Sequence, residues 1–263
     1  MNLQEQHWKN LFGDLTTEGD SWYGIWTYYD LETLEVVNSF QGVRKFQANE
    51  DKTIVTHTNN YTYSDGREEE KSWQIEKQIC NHLDGITHPA SLSMRSFSLG
   101  EGANTWLSKK LQPGEKFGAE LFFRYQDWRT SAVCIYGESG ELEKIVQIRE
   151  HLGSFPTIPA KPKLENLSGK WVGTKQSITP NLQISDAEEI TKLALDLNKD
   201  NNENFFLPDG IVLNIPKKVK VGEAVELVAG KLVAENEYKR LTVKYDDSGD
   251  FALLISEVFR KED

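Results

Sequence analysis

The sequence predicts an all-β protein made of two antiparallel barrel units, and three observations lead to this prediction. Segments that alternate apolar and polar residues follow one another at short intervals, with turn residues between them. Segments with a helical period are few and short. A pattern in the middle of the chain returns near its end, which favours two similar β units over one large domain. Many short strands with little helix are typical of sandwiches and barrels.

The composition is that of a folded protein that stays in water. Of the 263 residues, 38% are hydrophobic and 27% are charged, a balance too apolar for a disordered chain. The formal net charge of −11 argues against nucleic acid and anionic membrane surfaces as partners, because both are bound through basic faces. No apolar run approaches the ~20 residues of a membrane span, and no cationic leader is evident. We therefore expect a cytoplasmic protein.

The first half begins with a short helix and continues as strands. Residues 3–15 carry an amphipathic stripe that is too short to be stable alone, so we expect it to cap another element. WYGIWTYYD, residues 22–30, is aromatic on both faces and predicts a strand that is buried or lines a cavity. Further strands are expected within 34–46, 53–63 and 68–79.

A polar segment then interrupts the alternation. Residues 81–102 contain His88 before Pro89, and Met94 before Arg95. Pro89 lacks an N–H for a strand ladder and favours extended backbone at His88, which predicts an ordered crossing or a strand edge. His88 and Arg95 are therefore candidates for the mouth of a pocket, and a surface turn is the alternative.

Residues 117–150 predict three successive antiparallel strands and carry the strongest candidates for a site. Glu120, Phe122 and Arg124 share one face of the first of these strands, and Arg129 opens the second. These charged groups either form a solvated face or an internal ion pair, or they point into a cavity. In the second case, Arg124 is suited to hold a carboxylate or carbonyl.

A proline-rich stretch divides the chain. Residues 156–166 contain three prolines and predict a semi-rigid linker. It separates a first unit, residues 1–155, from a smaller second unit, residues 167–263. In the second unit, a capping-box spacing at Ser185 predicts a short helix over 186–197, with more strands after it.

Two motifs recur in the same order in both units. GIW at 24–26 corresponds to GKW at 169–171, and the turn YGESGEL at 136–142 corresponds to YDDSGDF at 245–251. Each turn leads into an alternating strand that reaches an arginine. Matches in a conserved order and at comparable offsets predict a duplicated β unit.

The Gly-x-Trp motif, after a short helix and with an arginine on the last strand, resembles the calycin superfamily. This resemblance implies two lipocalin-like antiparallel barrels with short capping helices. It also implies that Trp26 and Trp171 plug the barrel ends and that Arg149 and Arg260 stack on those rings.

The first unit further resembles a cyanobacterial and plastid-lineage family of uncharacterised lipocalin-like proteins. The matching stretches are WYGIWTYYD, SFQGVRKFQAN, TNNYTYSDG, DGITHPASLSMR and ELFFRYQDWRTSAVCIYGESGELEKIVQIRE, which cover most of residues 20–155. The second unit shares only GKW and YDDSGD with that family. The resemblance implies a fold and brings no established function with it.

Aromatic residues are concentrated in the first unit, which holds most of the seven tryptophans. We therefore expect a ligand site there, with core filling as the alternative role for the rings. The candidate ligand-binding residues are Tyr28, Tyr61, Trp73, His88, Arg95, Trp106, Glu120, Phe122, Arg124 and Arg129.

The leading hypothesis is an intracellular lipocalin-like protein that binds a small apolar or conjugated molecule. The resemblance to the calycin superfamily implies a tetrapyrrole, a carotenoid or a fatty-acid-like ligand. The alternative is a cofactor-independent enzyme on paired barrels, such as a cyclase, an isomerase or a chromophore lyase. His88, Glu120 and Arg124 would then serve as acid, base and electrostatic stabiliser. A third hypothesis is a non-catalytic assembly partner.

No motif predicts a metal or a cofactor. The five histidines show no ligand spacing, and Cys80 and Cys134 predict two separate buried thiols. The segment that starts at Asp200 imitates an EF-hand loop, but Phe205 and Ile211 stand where that loop needs Gly and Glu. We expect a protein without metal or cofactor.

Overall fold

Two antiparallel sheets contain almost all of the regular structure. The structure is a computed structural model, and it describes residues 2–100, 102–191, 193 and 201–262. Within these residues the only helices are α1 (Leu3–Phe12) and α2 (Lys77–Cys80). The predicted all-β class is therefore confirmed.

The first sheet has eleven strands and forms a nearly closed barrel. Its strands are β1 (Asp20–Tyr29), β2 (Val36–Ala48), β3 (Ile54–Thr62), β4 (Glu68–Glu76), β5 (Asn81–His82), β6 (Gly85–His88), β7 (Ser91–Ser98), β8 (Ala103–Ser108), β9 (Phe117–Tyr125), β10 (Trp128–Tyr136) and β11 (Leu142–Leu152). Strands that are neighbours in sequence pair with each other except β4 and β5, and β11 returns to pair with β1. The remaining opening lies between β4 and β5.

Both helices lie at this opening. Helix α2 connects β4 to β5 directly. Helix α1 is fastened to β5 by two hydrogen bonds, because Gln4 Nε2 donates to the Asn81 carbonyl and Asn81 Nδ2 donates to the Gln4 carbonyl. Trp8 and Phe12 of α1 are buried against apolar side chains of β3 and β4. The amphipathic stripe thus covers the part of the barrel that the strands leave open.

The second sheet has seven strands and repeats the connectivity of the first. Its strands are β12 (Trp171–Ile178), β13 (Glu188–Ile190), β14 (Asn202–Leu207), β15 (Ile211–Pro216), β16 (Val225–Ala234), β17 (Glu237–Tyr245) and β18 (Phe251–Lys261). Its first strand, β12, again pairs with its last, β18. Each sheet is therefore a meander that returns to its own beginning.

The two repeated turns join the sheets reciprocally. Tyr136, before the first turn, donates its hydroxyl to the Pro216 carbonyl of the second sheet at 2.9 Å. Tyr245, before the second turn, donates its hydroxyl to the Ser108 carbonyl of the first sheet at 2.8 Å. Both tyrosine rings pack against Phe117. The repeat therefore marks the contact between the sheets.

The largest apolar core lies between the two sheets and contains residues of both. Leu121 and Phe123 of β9 belong to it, together with Leu213 and Leu241 of the second sheet. Since apolar burial stabilises in proportion to the area removed from water, each sheet depends on the other. The division into residues 1–155, 156–166 and 167–263 stays a prediction, with no strand between 153 and 170.

One expectation about the second unit needs correction. Glu188–Ile190 is strand β13 and not the start of a helix, because these residues pair with β12 and Glu188 forms an ion pair with Lys175 at 2.9 Å. The rest of the predicted helix, at 192 and 194–197, lies outside the described residues. The second unit, which was predicted to be a smaller barrel, forms a seven-stranded sheet.

The predicted stacking of arginines on the Gly-x-Trp tryptophans is wrong. The register places Arg149 on the opposite face of the sheet from Trp26, and its Cζ lies 4.3 Å from the ring centroid of Trp128. Arg260 is exposed on the surface. Arg44 occupies the position over Trp26, at 5.1 Å.

Candidate functional site

A cavity of about 360 Å³ lies inside the first barrel. One side of it is closed by Leu11 and Phe12 of helix α1 and by Leu15, which follows the helix. The volume is at the lower end of the range for small-molecule pockets. The predicted site residues that line it are Tyr61, Trp73, His88, Trp106, Glu120, Phe122, Arg124 and Arg129.

Two predicted site residues lie outside the lining. Tyr28 packs against Phe40, with ring centroids 5.9 Å apart, in an apolar cluster that adjoins the cavity through Trp26 and Tyr61. Arg95 donates through Nε to Asp84 and through Nη1 to two backbone carbonyls. Its guanidinium is thus committed to holding the polar segment in place.

Strand β9 is buried on both faces, and this explains its mixture of charges and aromatic rings. Glu120, Phe122 and Arg124 line the cavity. The alternate residues Leu121 and Phe123 enter the core between the sheets. The charged face of β9 therefore points into the barrel, and Arg124 is the exposed residue of the three on this face.

Two arginines and two glutamates form a charge cluster on the cavity wall: Arg44, Glu120, Arg129 and Glu150. Arg44 Nη2 donates to Glu120 Oε1 at 2.9 Å, and Ser131 Oγ donates to the same oxygen at 2.7 Å. Glu150 is completely buried between Arg44 Nε, at 3.0 Å, and Arg129 Nε, at 2.7 Å. The two positive and two negative charges of the cluster therefore cancel.

The charge cluster keeps both guanidinium groups protonated in a buried place. Burial alone would lower the pKa of Arg44, but Glu120 and Glu150 outweigh it and raise the pKa. Burial lowers the pKa of Arg129, against the attraction of Glu150, although a guanidinium stays charged in proteins. Arg129 Nη2 is buried and has no hydrogen-bond partner among the described residues.

A chain of neutral hydrogen bonds, the histidine relay, runs through His88, His57, Asn59 and Tyr61. The Ala90 N–H donates to His88 Nδ1 at 3.0 Å, so the proton of this ring is on Nε2. His88 Nε2 donates to His57 Nδ1 at 2.9 Å, and His57 Nε2 donates to Asn59 Oδ1 at 2.9 Å. Asn59 Nδ2 donates to Tyr61 Oη at 2.8 Å. One backbone N–H thus fixes the direction of the entire relay.

The relay is uncharged at neutral pH. Burial lowers the pKa of His88 to about 4. Burial, reinforced by His88, holds the pKa of His57 well below its ordinary value. Burial raises the pKa of Tyr61, so its hydroxyl keeps its proton. This hydroxyl accepts from Asn59, and its own proton has no acceptor among the residues that the structure describes.

Aromatic rings surround the two imidazoles. Phe46 stacks on His57 with ring centroids 4.3 Å apart and planes at 12°. Trp73 and Trp106 approach His88 edge-on, at 5.0 and 5.4 Å. Such packing fixes the orientation of both imidazole rings and excludes water from them.

Sequence reasoning missed several residues that build the site. Alternation along β3 could have found His57 and Asn59, since they share the face of Tyr61. For Arg44 and Glu150 the local sequence gives no signal, because their partners come from other strands. The missed residues are Trp22, Arg44, Phe46, His57, Asn59, Asn104 and Glu150.

Groups of metal ligands and membrane-spanning helices are both absent from the described part of the chain. In that part, no three side chains of His, Cys, Asp or Glu are grouped so that they could hold a metal ion. None of its helices has the length and apolarity to cross a bilayer. Cys80 and Cys134 are separate, buried free thiols.

Two family models match the sequence. Residues 4–155 match the model described as "Domain of unknown function (DUF3598), N-terminal". Residues 187–258 match the model described as "Biogenesis factor required for ATP synthase 1, C-terminal domain". No curated protein matches the sequence.

Among solved structures, a DUF3598-family protein of unknown function from the cyanobacterium Nostoc punctiforme has a similar fold. It is 19% identical, the match covers 97% of this chain and 99% of that chain, and the TM-score is 0.73. A putative AttH from Nitrosomonas europaea is 8% identical with a TM-score of 0.24 over 94% of this chain and 93% of that one. Such a score is too low to indicate a shared fold. Because the N-terminal match spans more than half of the sequence, the chain belongs to the DUF3598 family.

Proposed function

We propose that the protein binds a small, largely apolar, flat or conjugated molecule inside the first barrel. The cavity itself carries this proposal, because aromatic rings such as Trp22, Trp106 and Phe122 line it. Most of its polar side chains belong to the charge cluster or to the histidine relay. Apolar walls with a few fixed polar groups are the usual composition of a small-molecule site.

The lipocalin-like classification is part of the proposal. In each sheet the first strand pairs with the last, which is the connectivity of an up-and-down barrel. We place the protein inside the cell, where free thiols such as Cys80 and Cys134 persist. A cavity of about 360 Å³ suits a compact ligand, so a whole tetrapyrrole or carotenoid would extend through the mouth.

The contacts of the predicted catalytic residues favour binding over the enzyme hypothesis. Both ring nitrogens of His88 are already hydrogen-bonded, which leaves neither available to a substrate. Glu120 Oε1 is held by two donors, and Arg124 lies over Trp22 with its Cζ 5.1 Å from that ring. The enzyme hypothesis requires that Glu120→Gln and Arg124→Ala abolish a turnover while the barrel stays folded.

A second candidate function is a role in the assembly of ATP synthase. It is supported by the match of residues 187–258 to the C-terminal domain of a biogenesis factor required for ATP synthase 1. On this hypothesis, cells that lack the protein should contain less assembled ATP synthase on a native gel. An unchanged amount would contradict the hypothesis.

The binding proposal is tested with Nile red, an uncharged, flat dye that becomes fluorescent in apolar surroundings. We expect saturable binding of one dye per protein. Ser91 lines the cavity, so Ser91→Phe should narrow it and weaken binding by about tenfold or more. Ser93 lies on the same strand but is exposed, and Ser93→Phe is the matched control. Equal binding by both variants would contradict the location that we propose.

A further inference from the structure

We infer that the ligand presents an uncharged carbonyl oxygen, conjugated to its flat body, to Tyr61 and Arg129. This inference rests on the proposed function and specifies the chemical class of the ligand. It follows from two hydrogen-bond donors without acceptors and from the balance of charge around them.

The first donor is the Tyr61 hydroxyl. Its oxygen accepts from Asn59 Nδ2 at 2.8 Å, so the remaining O–H bond is directed elsewhere. The direction of the relay cannot reverse, because it starts at the backbone N–H of Ala90, which only donates. Because Tyr61 lines the cavity, its hydroxyl can donate a hydrogen bond to a molecule bound there.

The second donor is Nη2 of Arg129. The Nε of the same guanidinium donates to Glu150 at 2.7 Å, whereas Nη2 is buried with no partner in the described chain. Buried donors in proteins are almost always paired. Because Arg129 also lines the cavity, a bound molecule would supply the missing partner if its oxygen displaced the rings that cover Nη2.

The charges around the cavity favour a neutral oxygen over a carboxylate. Arg44 and Arg129 are balanced by Glu120 and Glu150, and the lining adds one further cation, Arg124, and one further carboxylate, Asp20. The histidines of the relay are neutral. A ligand carboxylate would add an uncompensated negative charge beside Glu120 and the buried Glu150, and burying an unpaired charge is costly. A carbonyl accepts both hydrogen bonds and leaves the balance intact.

Three naphthalenes of matched shape test the inference. 2-Acetylnaphthalene carries a neutral ketone, 2-naphthoate carries a carboxylate, and 2-ethylnaphthalene has no acceptor. Their dissociation constants are measured by quenching of tryptophan fluorescence. We expect the ketone to bind about 2- to 10-fold more tightly than either analogue, as one or two net hydrogen bonds would provide.

Tyr61→Phe should remove most of this preference for the ketone, because the ring stays and only the donor is lost. The matched control is Tyr63→Phe, since the Tyr63 hydroxyl donates to Glu69 and lies outside the cavity lining. In the infrared spectrum, the C=O stretch of bound 2-acetylnaphthalene should lie at lower wavenumber than that of the same ketone in an apolar solvent. That shift should diminish in Tyr61→Phe and persist in Tyr63→Phe.

The outcomes separate this inference from the proposed function. Binding in which 2-naphthoate is the tightest ligand, or in which 2-ethylnaphthalene equals the ketone, overturns the inference and leaves the cavity as the binding site. Equal ketone affinity in Tyr61→Phe and Tyr63→Phe also overturns it. If none of the three compounds and no Nile red binds, the proposed function itself is contradicted.

Discussion

His57 Nδ1 lies 2.9 Å from His88 Nε2, and a single proton connects these two buried nitrogens. Because His88 Nδ1 accepts from a backbone N–H, the proton between the rings comes from His88. A second proton on either ring would place two donors against each other in an aromatic enclosure. The packing of the cavity wall therefore requires both imidazoles to be neutral.

We predict that this arrangement makes the fold sensitive to acid. The pKa of His88 is lowered to about 4 and that of His57 lies well below 6.5, so the unfolded chain binds protons that the folded chain does not. The contribution of these neutral histidines to the free energy of unfolding should be fully present above about pH 6.5. It should decrease as the pH falls towards 4, by up to about 1.4 kcal/mol per pH unit for each histidine. His7, whose pKa burial also lowers to about 4, contributes in the same direction.

Urea unfolding at pH 7, 5.5 and 4.5 measures this slope. A double variant, His57→Phe with His88→Phe, should be less stable at pH 7 but should lose less stability between pH 7 and 4.5 than the parent protein. His82→Gln, at a histidine outside the cavity lining, is the control and should keep the full slope. An identical slope in the parent and the double variant would show that the relay does not cause the acid sensitivity.

The charge cluster gives a second prediction. Glu150 is completely buried between Arg44 and Arg129, so Glu150→Gln leaves two buried cations with one remaining carboxylate, Glu120. We expect a loss of about 3 kcal/mol or more in the free energy of unfolding, because breaking a buried ion pair leaves an uncompensated charge. Glu143 lies on the same strand but is exposed, and Glu143→Gln should cost less than about 0.5 kcal/mol. Similar losses in the two variants would contradict the assignment.

A third prediction concerns the dependence of one sheet on the other. Phe251 of the second sheet stacks on Phe97 of the first, with ring centroids 4.3 Å apart. Phe251→Ala should cost about 3–5 kcal/mol, whereas Phe206→Ala, at a ring that is 39% exposed, should cost far less. Because most tryptophans are in the first sheet, their fluorescence reports its unfolding, and circular dichroism reports both sheets. The two signals should change at the same urea concentration, and separate transitions would contradict a shared core.

Periodicity predicted the local structure well because strand alternation is a local property. The alternation in β9 correctly grouped Glu120, Phe122 and Arg124 on one face. The repeated turns at 136–142 and 245–251 each precede the last strand of their own sheet. The sequence could not show that the second face of β9 is also buried. That burial results from a contact with the other sheet, more than 80 residues away along the chain.

The polar part of the site could not be predicted, because it depends on strand register and on contacts between distant residues. Arg44 and Glu120 are 76 positions apart and meet across the barrel interior. The relay brings His57 to His88, 31 positions away, and its direction depends on a backbone group that carries no sequence signal. The sequence pointed to Glu120 and Arg129, but not to Arg44 and Glu150, the partners that hold them.

A crystal structure of the protein grown with saturating 2-acetylnaphthalene tests the central claim most directly. We predict density for the flat ring system in the cavity of the first barrel, beside Phe122 and Trp106. The ketone oxygen should lie within about 3.2 Å of Tyr61 Oη or Arg129 Nη2. A cavity without ligand density, together with ligand bound elsewhere on the protein, would contradict the claim that the first barrel is the binding site.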